Sequence, residues 1–141
     1  MKKIFSLSLV LFLALTFCCK TANALENSTY ASLTLTGYSA RLSKGETAGK
    51  VNISYDVRSS KMADSLGVLS ITVYQSNGNC VKTINGSTDN GLICEDRPLH
   101  MGTYSCELDS GVSYYVEVTV FATVGNTSDQ RVITSQTITA P

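Results

Sequence analysis

From residue 31 onward, hydrophobic and polar positions alternate with a period of two. Lys50–Arg58 reads KVNISYDVR, with Val51, Ile53, Tyr55 and Val57 on one face and Asn52, Ser54 and Asp56 on the other. That alternation predicts a strand with one buried face. Val68–Gln75 predicts a second strand with Leu69, Ile71 and Val73 on one side. Ser76–Asn79 is the turn after it, and Asn77-Gly78 offers the positive-φ residues of a tight hairpin. Cys80–Asn85 is a short returning strand. Thr103–Leu108 alternates Tyr104, Cys106 and Leu108. In Ser113–Ala122, Tyr114, Val116, Val118 and Val120 oppose Tyr115, Glu117, Thr119 and Phe121. A turn at Gly125–Asp129 leads to a last β-branched strand, Gln130–Thr139. A first strand lies in Ala31–Leu42, kinked at Gly37. Only Ser59–Leu66 suggests helix, a single turn pairing Met62 with Leu66.

Seven short strands punctuated by turns predict an all-β fold, a seven-stranded antiparallel sandwich of the immunoglobulin-like kind. Only two prolines occur, Pro98 and Pro141, so no predicted strand is interrupted. The 141 residues suffice for one domain.

The first 24 residues read differently. Lys2 and Lys3 precede an apolar run, Ile4–Phe17, and Ala22 and Ala24 occupy the −3 and −1 positions of an A-x-A site. This predicts a signal peptide, 1–24, cleaved after Ala24, and a domain spanning 25–141. The alternatives are a membrane anchor, for which the run is short, and a lipoprotein attached through Cys18, where Phe17 stands in place of the usual small residue. Removing the leader takes three of the eleven basic residues and none of the eleven acidic ones. The remaining balance of −3 gives no footprint for nucleic acid or an anionic membrane. The expected localisation is extracellular, with no membrane span after processing.

Leu108-Asp109-Ser110-Gly111-Val112-Ser113-Tyr114 has the L-x-x-G-x-x-Y spacing of a tyrosine corner. With the Val116, Val118 and Val120 that follow, it resembles the sixth strand of fibronectin type III domains. The resemblance implies that Gly111 makes the turn, Leu108 ends a strand in the core, and Tyr114 buries its ring and bonds its hydroxyl to upstream backbone. This chain departs from that family in lacking a core tryptophan and in its long Gly86–Gly102 connection. The whole chain also resembles small secreted bacterial proteins of uncharacterised function, through Leu66–Gly78 and Gly102–Ala122. That resemblance implies export and fold, and nothing about substrate.

Cys80, Cys94 and Cys106 remain after the leader, so at most one intramolecular disulfide can form. Cys94 and Cys106 flank His100 symmetrically, as on two arms of a hairpin turning through Pro98–Gly102. The spacing favours that pair, with Cys80–Cys94, Cys80–Cys106 and no bridge at all left open.

Catalytic chemistry is thinly provided. His100 is the single histidine, in the loop-like stretch DRPLHMG. It could pair with Cys94 or Cys106 as a thiol–imidazole couple, or join both around zinc, but the spacing matches no zinc motif. Asp89, Glu95 and Asp96 give the Gly86–Gly102 segment an oxygen-rich character without calcium-loop spacing. No cofactor is implied. Tyr115 and Phe121 form an outward aromatic pair suited to packing on the sheet face or to contact with a partner. The expected function is that of a secreted, non-catalytic binding or surface-interaction module. Its partner would be extracellular or in the cell wall, met through Gly86–Gly102 or an outward sheet face. A self-assembling envelope protein is the alternative.

Overall fold

The computed structural model describes residues 34–141. Ala22, Ala24 and the leader they would end, as well as residues 25–33, lie outside the described residues. Every regular element among the described residues is a β-strand: β1 (Leu35–Lys44), β2 (Lys50–Gln75), β3 (Cys80–Asn85), β4 (Ile93–Glu107), β5 (Ser113–Val124), β6 (Thr127–Thr134) and β7 (Ile138–Thr139). All pairings are antiparallel, and together they make one seven-stranded sheet.

β2 organises the sheet. Its first part pairs with β1 on one edge and with β4 on the other. Its second part pairs with β5 on one edge and with β3 and the start of β4 on the other. β6 and β7 add to β5. The predicted alternation of Lys50–Arg58 is present: Val51, Ile53 and Val57 are fully buried and Tyr55 nearly so. So is that of β5, where Tyr114, Val116, Val118, Val120 and Ala122 are inaccessible. These residues share one hydrophobic cluster with Leu42, Leu66, Val68, Ile71 and Val73.

Four expectations are corrected. Ser59–Leu66 is extended and belongs to β2. The i, i+4 spacing of Met62 and Leu66 is even, so it suits one face of a strand as well as one face of a helix. Met62 is nevertheless 62% exposed, because the pairing to β4 jumps from Arg58–Leu99 to Ala63–Arg97 and the intervening residues bulge outward. Leu69 does not share the core face of Ile71 and Val73. A register shift between Val68 and Ser70 makes it the extra residue, so Val68 is buried and Leu69 exposed. In the β2–β3 turn only Gly78 has positive φ, since four residues close this hairpin and Asn77 is not required to follow it. The last strand divides into β6 and β7, with Ser135 donating its backbone N–H to Val116 between them.

Candidate functional site

The Gly86–Gly102 connection is not one long loop. Residues 86–92 form a compact turn and the rest is strand β4. Asn90 knits the turn: its side-chain oxygen accepts from the N–H groups of Ser87 and Leu92, and its side-chain nitrogen donates to the Asn85 carbonyl. Leu92 is buried beneath it. The hairpin expected through Pro98–Gly102 does not form, because Leu99, His100, Met101 and Gly102 all pair in register with β2. Pro98 falls opposite the β2 bulge, where no backbone donor is needed.

The expected Cys94–Cys106 disulfide fails for the same reason. Both residues sit on β4, opposite Leu66 and Val51 respectively, roughly 40 Å apart along the strand. A disulfide needs Cα atoms within about 7 Å. All three thiols are free: Cys80 exposed, Cys94 half-buried, Cys106 buried. Burial raises the pKa of Cys106, opposed by the nearby Lys82 ammonium. Burial raises that of Cys94 as well, opposed by Arg97.

His100 does have a built environment. Tyr55, also on the core face, donates its hydroxyl to the Gly91 carbonyl at 2.8 Å. His100 Nε2 lies 2.8 Å from the same oxygen and 3.3 Å from the Tyr55 hydroxyl. A carbonyl only accepts, so Nε2 carries the proton and donates. The two rings meet with centroids 5.3 Å apart. Opposite Tyr55, Gly102 leaves room for the phenol, where a Cβ would come within 2.6 Å of its oxygen. Desolvation and then Cys94 push the Tyr55 pKa up. The cluster ties the 86–92 turn to β2 and β4 through groups that are already bonded to one another. Among the described residues, no group of three or more His, Cys, Asp or Glu side chains stands together as a metal site.

At the other end of β4, the Asp109 N–H donates to the Tyr114 hydroxyl at 3.3 Å. Gly111 has φ +78° in the turn, and Leu108 packs against the core. On the outward side of β5, Tyr115 stacks on Tyr74 with centroids 5.1 Å apart and 13° between planes. Desolvation and then the Glu117 carboxylate raise the Tyr74 pKa. Phe121 stands opposite Gly67 and Gln130.

One concavity was not signalled by any motif. A cleft of about 590 Å³ runs between the outer edge of β1 and the β6–β7 link, over Ala40, Leu42 and Ile138, with Arg41, Lys44 and Gln136 on its walls. Gly45 donates to the Lys50 carbonyl at the end of the β1–β2 hairpin. Ladder bonding alternates along an antiparallel pair. Ser39, Arg41 and Ser43 therefore bond to β2, while Tyr38, Ala40, Leu42 and Lys44 turn their backbone groups outward. Among the described residues no backbone group bonds to them there. No family model matches this chain, and no curated protein or solved structure is significantly similar to it.

Proposed function

We propose that this chain is an exported, non-catalytic binding module: a two-layer sandwich of the fibronectin type III kind, held at one bend by a tyrosine corner at Leu108, Gly111 and Tyr114. One layer would comprise β1, the first part of β2 and the later part of β4. The other would comprise β3, the second part of β2, β5 and β6. The shared hydrophobic cluster supports that arrangement. The leader pattern at Lys2–Ala24 supports export, so that residues 25–141 meet an extracellular or cell-wall partner.

One observation carries the binding assignment. A cleft of about 590 Å³ is bordered by a strand edge with unused main-chain donors and acceptors. A free edge of this kind pairs readily with another chain. The histidine, by contrast, is occupied within the fold. The test is retention of the labelled chain, from Leu25 onward, on the surface of the cells that produce it. Saturable retention, lost in Ala40→Pro, supports the reading. Proline there removes only an outward N–H, so the ladder to β2 survives. Absent retention, or retention unaffected by the substitution, refutes it. The self-assembly alternative is favoured by the exposed Cys80 thiol on the short strand β3, and it requires sedimentation faster than a monomer.

A further inference from the structure

We infer that the β1 cleft takes an extended peptide strand in which apolar and acidic side chains alternate. This deepens the binding assignment above and rests on it. The first argument is spacing. Outward N–H and C=O groups recur at every second residue of β1, a repeat of about 6.8 Å that another β-strand matches. The second is the floor. Leu42 faces the core opposite Ile53 and is buried, and Ala40 lies two residues before it on the same face. A strand added beside β1 would point every second side chain inward over Ala40, Leu42 and Ile138, so those positions call for apolar residues.

The third argument is charge. The intervening side chains of the added strand lie beside Arg41, which shares the opposite face with Ser54. Lys44 stands exposed at the end of the edge, on the same face as Ala40 and Leu42. The cleft lining carries these two cations and no carboxylate. Neither is ion-paired among the described residues. The outward-facing ligand positions beside Arg41 therefore call for Asp or Glu, and the exposed Lys44 ammonium at the strand end adds to the same positive field. The same charges disfavour a second copy: its β1 would bring another Arg41 and Lys44 to this edge, and like charges oppose cross-strand pairing.

The probes are the blocked peptides acetyl-EVEVEV-amide and acetyl-KVKVKV-amide, titrated into the isotopically labelled chain from Leu25 onward. The acidic peptide is expected to bind with Kd below about 1 mM and to shift amide resonances of residues 38–44 and 134–138. The lysine peptide should bind roughly tenfold more weakly. The double substitution Arg41→Glu and Lys44→Glu, at polar rim positions, should reverse that order. Equal binding of the two peptides, shifts centred on Tyr74 and Tyr115, or no binding at all would overturn the inference. If the cells still retain the chain while neither peptide binds, the ligand class is wrong and the binding assignment stands. If retention fails as well, both fall.

Discussion

Replacing Tyr114 by alanine is expected to cost about 4 kcal/mol of folding stability. The ring is completely buried in the core beside the other inward residues of β5. Its loss leaves a cavity bounded by strands that the ladder holds in place and that cannot collapse into it. Tyr114→Phe keeps the ring and removes only the hydroxyl that accepts the Asp109 N–H at 3.3 Å. That bond is long, so about 1 kcal/mol is expected from its loss. Urea midpoints of the two variants against the parent give the comparison. Domains of this size are stable by about 5–15 kcal/mol, so the alanine variant should lose a large share of its margin while the phenylalanine variant remains folded. Equal effects would mean that the hydroxyl, and not the packed ring, secures this bend.

Gly67→Ala is expected to be comparably damaging, at about 3 kcal/mol or more. Gly67 has φ +144°, a conformation that L side chains rarely adopt. A Cβ there would run into the Leu92 carbonyl oxygen. That oxygen cannot retreat freely, because it accepts the Val68 N–H at 2.7 Å. The substitution therefore strains the backbone and pushes the 86–92 turn off β2 at once. Gly111→Ala is the control. Its φ of +78° is also positive, but nothing lies within 4 Å of the added carbon, so only about 1 kcal/mol is expected from the backbone. Thermal unfolding of the two variants separates the contributions, and a Gly67→Ala midpoint no lower than that of Gly111→Ala would contradict the close approach.

The strands that were legible in the sequence are those with one buried and one exposed face. Val51, Ile53, Tyr55 and Val57, and again Tyr114, Val116, Val118 and Val120, announce themselves because they occupy every second position above the same core. Alternation fails where the ladder does. The bulge after Val68 inverts the parity of Leu69, and the bulge between Arg58 and Ala63 removes any period from the residues between. β4 is hidden in the sequence for a related reason. Most of its residues from Ile93 to Tyr104 are exposed or half-buried, and Pro98 reads as a turn until the missing partner opposite it is known.

The candidate site was less accessible still. Tyr55, Gly91 and His100 meet because Tyr55 pairs with Gly102 and the turn folds back over both strands. Those registers span dozens of residues and leave no local signature. The β1 cleft depends on what β1 does not pair with, and a single sequence carries no record of that. His100 and Cys94 were visible as residue types. Their roles as a bonded imidazole and a half-buried free thiol came only from the fold.

The free edge of β1 underlies the proposed activity, and residue-resolved amide hydrogen exchange on the unliganded chain tests it most directly. Ser39, Arg41 and Ser43, whose N–H groups bond to β2, should exchange slowly, while Tyr38, Ala40, Leu42 and Lys44 exchange quickly. Uniform protection of all seven would mean that the edge is already covered and that no strand remains to be received.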